Sequence, residues 1–230
     1  TLNVRNSFMT REMHTPRTLL EQMHKAKVKV LALTETGHIK PKAIARLMSE
    51  HPKYKIFYSA PPSTDKTYRK NTGVAIILHE SVAALLHPTR TVEVITPYRT
   101  LAIYLRPAAA SVVLVATYCE QTPDKETYTT PLLEHIHKHT KSEDPNLYYA
   151  VLGDINDISS PLDTDSPTRR IKEGGIASLL EEHTPLLDMY RVIHEDRQEF
   201  TYLSPEDGYR SRIDVILGSS TWFNHPEILS

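Results

Sequence analysis

Short apolar runs of strand length recur along the whole chain, and they restrict the folds it can adopt. These runs cover residues 28–33, 53–58, 73–78, 99–105, 111–118, 147–152, 199–203 and 210–217. Between residues 73 and 118 they follow one another without a helical pattern between them, which argues against a purely parallel, doubly wound sheet. Helical patterns separate the other groups. We therefore expect an α/β fold in which two β-sheets pack face to face with helices outside.

Four segments carry the apolar spacing of helices. The dipeptide Thr15-Pro16 suits the N-cap and first position of a helix, and Pro41 opens a second helix. A third helix is predicted from Pro131, and a fourth near residues 175–182. The absence of an internal repeat or a low-complexity linker favours a single domain over residues 1–230.

Composition excludes several classes of protein. With 40% hydrophobic residues among 230, the chain can bury one sizeable core and is not a disordered protein. The single cysteine, Cys119, excludes an intramolecular disulfide framework and fits a reducing, intracellular compartment. No apolar run approaches the roughly 18 residues of a membrane span, so no membrane partner is expected.

The charge balance also limits the possible partners. The formal net charge of −1 argues against a protein that coats polyanions by bulk charge. Local basic clusters are present nevertheless, and they are compatible either with ordinary solvated surface or with contacts to a phosphate backbone. They are Lys25, Lys27 and Lys29, then Lys66, Arg69 and Lys70, and finally Arg169, Arg170 and Lys172.

An acid and an amide follow the apolar run 147–152. In an extended chain Asp154 and Asn156 project to one face, while Ile155 points into the core. The preceding Gly153 allows another backbone or a ligand to approach closely. Taken alone, this tetrapeptide favours a polar turn in which both side chains bond to their own backbone.

Polar side chains accompany the ends of other strands as well. Glu35 follows the run 28–33, Asn3 interrupts Leu2-Asn3-Val4, and Tyr118 closes the run 111–118. A single such residue has no special meaning, but a cleft at one edge of two stacked sheets would gather all of them. Hard oxygen ligands without histidine or cysteine pairs select Mg²⁺ or Mn²⁺ rather than zinc.

Asp214 is unusual because it interrupts an apolar run. A carboxylate within a buried strand costs several kcal/mol unless it is paired or faces a solvated cleft. Arg212 lies two residues away on the same face, so a structural ion pair between the two is one interpretation. A functional acid is the other.

Taken in order, these residues resemble the endonuclease/exonuclease/phosphatase superfamily. The matching segments are Leu2-Asn3-Val4-Arg5, Thr34-Glu35-Thr36, Gly73-Val74-Ala75-Ile76, Ala116-Thr117-Tyr118, Gly153-Asp154-Ile155-Asn156 and Ser211-Arg212-Ile213-Asp214. Within the superfamily, the chain is most similar to endonuclease domains of LINE-type retrotransposons. The segments behind that closer resemblance are Leu187-Asp188-Met189-Tyr190-Arg191, Glu199-Phe200-Thr201-Tyr202 and Arg212-Ile213-Asp214-Val215-Ile216-Leu217.

The resemblance implies a four-layer α/β sandwich and hydrolysis of DNA phosphodiesters with Mg²⁺ or Mn²⁺. Glu35 would hold the metal with Asn3 nearby, and Tyr118 would donate a hydrogen bond to the scissile phosphate. Asp154 would position or deprotonate the attacking water, and Asn156 would fix phosphate and nucleophile.

The remaining roles follow from the same resemblance. Asp214 would orient a catalytic histidine, and Arg5 and Arg212 would bind substrate. The products would be a 3′-hydroxyl, which could prime a linked reverse transcriptase in the nucleus, and a 5′-phosphate.

The chain also departs from the family pattern. A Ser-Asp-His motif is expected beyond the Arg-Ile-Asp strand, and His225 in Asn224-His225-Pro226 does not match it. We therefore expect the chain to be a piece of a longer protein that lacks the C-terminal Ser-Asp-His segment. Two alternatives stay open: a phosphatase or phosphodiesterase of the same fold acting on a small or lipid substrate, and a catalytically inactive truncated remnant.

Overall fold

The computed structural model describes residues 1–4, 14–62, 72–108, 110–120, 126–141, 144–169, 171 and 175–224. These residues form two large β-sheets and a separate hairpin. The strands are β1 (Leu2–Asn3), β2 (Val30–Thr34), β3 (Tyr54–Ser59), β4 (Val74–His79), β5 (Val92–Thr96), β6 (Thr100–Leu105), β7 (Ser111–Tyr118), β8 (Leu147–Asp154), β9 (Leu186–Asp188), β10 (Tyr202–Leu203), β11 (Arg210–Ser211) and β12 (Asp214–Ser219).

Helices connect these strands and cover the outer faces of the sheets. They are α1 (His14–Lys25), α2 (Pro41–Glu50), α3 (Glu80–Ala83), α4 (Glu126–Thr140), α5 (Ile176–His183), α6 (Met189–Ile193) and α7 (Thr221–Asn224), with a 3₁₀ turn at Pro161–Asp163. None of the described helices is long and apolar enough to cross a membrane.

Both large sheets are mixed. The first has the strand order β1-β2-β4-β3, and the second has the order β5-β6-β7-β8-β12-β9. β1 pairs in parallel with β2, and β7 pairs in parallel with β8, whereas β12 runs antiparallel to β8. The successive apolar runs 99–105 and 111–118 form the antiparallel pair β6–β7.

The two sheets pack face to face, as predicted. In β4 the apolar run is buried on both faces: Ile76 packs between the sheets, while Ala75 and Ile77 pack under α1 and α2. On the far side of the second sheet, Leu132 and Leu180 bring α4 and α5 onto its outer face. The result is the predicted four-layer order of helices, sheet, sheet and helices.

Several elements differ from prediction, including the run 199–203, of which only Tyr202–Leu203 forms a strand. The run 210–217 divides into β11 and β12, because Arg212 and Ile213 leave the ladder to bond to Asp163 and Ile155 respectively. The third helix begins at Glu126 rather than at Pro131, which lies inside it. β5 was not predicted, since its exposed residues Val92 and Val94 are apolar and mask the usual alternation.

His135 and His139 lie four residues apart on one face of α4, and this face packs against the protein rather than solvent at His135. His135 is buried, and its two ring nitrogens lie 2.8 Å from the Tyr104 hydroxyl and 2.6 Å from the Tyr149 hydroxyl. Burial lowers the pKa of His135 to about 4, so the ring is neutral at pH 7. Tyrosine hydroxyls on β6 and β8 satisfy this histidine, and a prediction from the helix alone does not include them.

Candidate active site

The candidate active site lies at one end of both sheets. Parallel strands end at the same edge, so β1 and β2 bring Asn3 beside Thr34 and Glu35, and β7 and β8 bring Tyr118 beside Asp154. The antiparallel β12 begins at this same edge, where its first residue, Asp214, pairs with Asp154. Chain topology alone therefore collects these side chains from distant parts of the sequence.

One amide joins the two sheets across the cleft. The Nδ2 of Asn3 donates to Oε1 of Glu35 at 2.8 Å and to Oδ2 of Asp154 at 2.9 Å. Because Glu35 follows the first sheet and Asp154 ends the second, this bridge fixes the spacing of two carboxylates that would otherwise repel each other.

The turn after β8 has a defined shape. Oδ1 of Asp154 accepts the backbone N–H of Asn156 at 2.9 Å, and Asn156 has φ of 51°, a left-handed conformation that asparagine tolerates. The Nδ2 of Asn156 donates to the carbonyl of Cys119 at 2.9 Å. The polar-turn interpretation of this tetrapeptide is thus correct for Asp154 but not for Asn156, whose side chain bonds to a distant backbone carbonyl, and both residues line the cleft.

Gly153 is required by close approach of backbone rather than by a ligand. A Cβ at this position would lie 1.9 Å from the carbonyl oxygen of Thr117 on β7. A side chain here would push the paired strands apart and displace Tyr118 and Asp154 together.

Glu35 also has a left-handed backbone, with φ of 52°. A non-glycine residue in this region is costly unless its surroundings impose the conformation. Here the next two amides are held by bonds from Thr36 to the Gly73 carbonyl at 3.1 Å and from Gly37 to the Thr72 carbonyl at 2.7 Å. The arrangement turns the Glu35 carboxylate toward Tyr118, whose hydroxyl bonds to it.

Asp214 faces the cleft beside a threonine that the sequence did not single out as a site residue. The Thr201 hydroxyl accepts the backbone N–H groups of Ile213 and Asp214, each at 3.2 Å. The hydroxyl of Thr1 donates to Oδ1 of Asp214 at 3.1 Å. Thr201 lies within the segment Glu199–Tyr202 that carried part of the family resemblance, and that was the available signal.

These groups line a single cleft with a volume of about 770 Å³. All six residues predicted from strand ends contribute to it. They are Asn3, Glu35, Tyr118, Asp154, Asn156 and Asp214. The residues that sequence reasoning missed are Thr1, Leu2, Thr201, Tyr202, Pro205 and Ile213.

The environment of the cleft raises the pKa values of three of its acidic groups. Burial, followed by the charge of Asp214, raises the pKa of Asp154 to about 7. Burial also raises the pKa of Asp214 above its ordinary value. Desolvation and the carboxylate of Glu35 raise the pKa of Tyr118 well above 10, so its phenol remains a hydrogen-bond donor at neutral pH.

The chemistry of this donor set fits a hard divalent cation. Glu35, Asp154 and Asp214 place three carboxylates around one cleft, and neutral donors rather than arginines bond to them. Among the described residues, no three or more histidine, cysteine, aspartate or glutamate side chains surround a common point as a metal cage would require. Mg²⁺ needs no such cage, because it commonly uses one or two carboxylates together with water and phosphate oxygens.

Arg212 is not in this cleft, which corrects its predicted role in substrate binding. Its buried guanidinium donates from Nε to Asp163 at 2.8 Å and from Nη2 to Asp188 at 2.5 Å. The ion pair considered between Arg212 and Asp214 is therefore replaced by pairs with two other acids. The predicted substrate ligand Arg5 lies outside the described residues, as does His225.

Known structures share this fold. An AP endonuclease, LMAP, from Leishmania major superposes with a TM-score of 0.77 at 16% identity over 97% of this chain and 79% of that one. An AP endonuclease from Archaeoglobus fulgidus gives 0.66 at 18% identity over 95% and 85% of the two chains. A 3′ phosphatase, NExo, from Neisseria, solved with a product DNA hairpin, gives 0.66 at 15% over 95% and 85%. The architecture is thus that of the AP endonuclease-like proteins.

The sequence itself identifies the family. A family model described as Endonuclease/Exonuclease/phosphatase family matches residues 1–227, nearly the whole chain. The protein therefore belongs to the endonuclease/exonuclease/phosphatase family, as its strand-end motifs suggested.

Proposed function

We propose that this protein is a divalent-metal-dependent phosphodiester hydrolase that nicks DNA, leaving a 3′-hydroxyl and a 5′-phosphate. The observation that carries the proposal is the convergence of Asn3, Glu35, Tyr118, Asp154 and Asp214 on one cleft. The residues come from five separate strands or their immediate ends, and no structural need of the core explains why each of these ends is polar.

Asp154 is suited to receive a proton from the attacking water. A general base works best when its pKa is near the working pH, and the pKa of Asp154 is raised to about 7. Its second oxygen is held by Asn3 at 2.9 Å, so the carboxylate cannot rotate freely away from the cleft. The Asn156 amide, fixed by its bond to Cys119, would border the same water.

Tyr118 is suited to bind the phosphate. Its raised pKa keeps the hydroxyl protonated, and its carboxylate acceptor Glu35 fixes the direction of the ring. A phosphate oxygen that reaches the cleft would compete for this donor. The ring also lies against the guanidinium of Arg99, 5.0 Å from its centroid, which limits its movement.

A cation explains how an acidic cleft could bind an anionic substrate. Glu35 with Asn3 beside it would hold Mg²⁺ or Mn²⁺, which when bound supplies Lewis acidity and stabilises the leaving oxygen. Without a cation, the carboxylates of Glu35, Asp154 and Asp214 would repel a phosphodiester.

The proposed biological setting is a retrotransposon. The LINE-like segments Leu187–Arg191 and Arg212–Leu217 support a retrotransposon endonuclease linked to a reverse transcriptase and acting in the nucleus. Its test is the coding sequence on either side: a reverse transcriptase reading frame and a downstream Ser-Asp-His motif are expected, and their absence would contradict this setting.

A phosphatase of the same family is the second candidate. The structural similarity to a protein described as a 3′ phosphatase supports it. Such an enzyme would need the same cleft but would release inorganic phosphate from small esters and leave duplex DNA intact.

Nicking of supercoiled plasmid in Mg²⁺ is the decisive experiment. When the downstream Ser-Asp-His segment is supplied, we expect nicked circles that DNA ligase reseals, which requires a 3′-hydroxyl beside a 5′-phosphate. Glu35→Gln and Asp154→Asn should each lower the rate by at least about a hundredfold, because each loses a charge used in the transition state. Glu50→Gln is the matched control, since Glu50 pairs with Arg17 and Arg46 on the exposed face of α2.

The outcomes separate the candidates. Nicking that persists in EDTA, or in both cleft variants, contradicts the mechanism. Phosphate release from small esters with intact plasmid favours the phosphatase. No activity on either substrate would identify the described chain as the inactive form.

A further inference from the structure

A buried network of charges lies directly behind the cleft. Arg212 is 3% exposed, and its Nε donates to Oδ1 of Asp163 at 2.8 Å. Its two terminal nitrogens bond to the two oxygens of Asp188, at 3.4 and 2.5 Å. Arg191 donates to the same oxygen of Asp163, so two arginines share this acid. Such a network contributes little net stability, because its desolvation cost offsets its attraction.

The network connects the two segments that carry the cleft acids. Oδ2 of Asp163 accepts the backbone N–H of Ser160 at 2.9 Å and the Ser159 hydroxyl at 3.1 Å, which fixes the loop that follows Asn156. Arg212 lies two residues before Asp214, and its own N–H donates to the Asp163 carbonyl at 2.8 Å. One guanidinium therefore holds the loop behind Asp154 against the strand that begins with Asp214.

Two further contacts carry this constraint into the cleft. The Ile155 N–H donates to the Ile213 carbonyl at 3.0 Å, and the Asn156 N–H donates to Asp154 at 2.9 Å. Both amides lie in the chain between Asp154 and the serines that Asp163 holds. Arg212 itself contributes nothing to the lining of the cleft.

We infer that Arg212 is a positioning residue, which sets the separation of Asp154 and Asp214 through its ion pairs with Asp163 and Asp188. The inference rests on the proposed function, since it assigns a purpose to a fixed spacing of those two acids. A bidentate, planar contact defines an orientation that an ammonium does not, so lysine is an inadequate replacement.

The kinetic test uses Arg212→Lys in the plasmid assay. We expect kcat to fall about tenfold to a hundredfold with KM for DNA within about twofold, because misplacement of reacting groups by about 1 Å has effects of this size. Arg191→Lys, which leaves Arg212 in place, should lower kcat less. Arg17→Lys, in the exposed pair with Glu50, is the control and should leave both parameters unchanged.

Other kinetic outcomes overturn the inference. A rise in KM together with a salt slope smaller by about one would show that Arg212 binds a phosphate directly. A lower melting temperature with unchanged kcat per folded molecule would show a role in stability alone.

Amide hydrogen exchange provides a test that does not need activity. In Arg212→Lys, the amides of Ile155 and Asn156 should exchange at least about tenfold faster, while the amides of the β2–β4 pair should be unchanged. Equal exchange in both proteins contradicts the inference. If the unaltered protein nicks nothing, the proposed function fails, and exchange still decides whether Arg212 holds this segment. If Arg212→Lys does not fold, Arg191→Lys takes its place in both tests.

Discussion

The cleft and the network behind it are both rich in acids, yet the acids are treated in opposite ways. Asp154 and Asp214 receive hydrogen bonds from neutral amides and hydroxyls, and their pKa values are raised. Asp163 receives two arginines, and its pKa is lowered. Both regions are buried, so burial alone does not decide the charge of a carboxylate.

The comparison separates function from architecture. An acid whose charge is compensated by fixed arginines cannot change partners without loss of structure. An acid held only by neutral donors retains an affinity for a cation or a proton, which is what hydrolysis requires. The unfolding free energy should therefore respond in opposite directions to removal of the two kinds of acid.

The largest effect is expected at Asp163. Asp163→Asn leaves the guanidiniums of Arg212 and Arg191 short of a counter-charge in a buried site, and should lower the unfolding free energy by about 3 to 5 kcal/mol. Denaturation by urea at pH 7 measures this. Asp165→Asn is the matched control, because Asp165 pairs with Arg210 at the surface and its loss should change stability very little. Similar losses in both variants would contradict the comparison.

An effect of opposite sign is expected at Asp154. Its pKa of about 7 in the folded protein exceeds the roughly 3.9 of an unfolded chain, so ionisation of this group disfavours folding above pH 4. Asp154→Asn should therefore raise the unfolding free energy at pH 8 in EDTA. The gain should be limited to about 1 to 3 kcal/mol, because the new amide partly opposes the Asn3 donor. The advantage should shrink as the pH falls from 7 to 4.

Urea denaturation of both proteins across this pH range measures the effect. A variant that is less stable than the parent at pH 8 would show that the Asp154 charge is compensated after all. In the plasmid assay the same variant loses activity, so a gain in stability would accompany a loss of function.

Much of the cleft was predictable because its residues follow a local rule. Glu35, Tyr118 and Asp154 each end an apolar run, and the ends of parallel strands meet at one edge. That pattern is visible in consecutive residues, and the order of the segments along the chain carried the family resemblance. The packing of two sheets followed from the same runs, since those at the centre are apolar on both faces.

The network was not predictable, because its contacts are long-range. Arg212 lies 49 positions after Asp163 and 24 after Asp188. The neighbour that the sequence offered, Asp214, is two residues away, but the strand is interrupted between them and the two side chains diverge. The sequence therefore indicated the correct segment for Arg212 but offered the wrong ion-pair partner, Asp214.

The buried histidine of α4 gives the last effect, and it extends the comparison to a base. Desolvation lowers the pKa of His135 to about 4, although Glu93 lies 3.7 Å away and acts in the other direction. Arg90 and Lys138 oppose protonation as well, and His139 does so from the next helical turn. At His135 burial outweighs the nearby charge of Glu93, whereas at Asp163 direct arginine bonds outweigh burial.

The direction in which stability changes with pH follows from the lowered pKa of His135. The neutral ring is fully accommodated above pH 6.5, and the stability it allows is lost as the pH falls from 6.5 toward 4, where the unfolded chain binds the proton first. This loss should reach at most about 3 kcal/mol, and it should be missing from His135→Gln, whose stability curve should be flatter over that interval. The pKa of Glu93 is lowered to about 2, so the stability linked to its ionisation is lost only below pH 4.5. This loss is therefore distinct from the one at His135. His24→Gln, on the exposed face of α1, is the control and should follow the parent curve. A His135→Gln curve parallel to the parent curve would show that His135 titrates like an exposed residue.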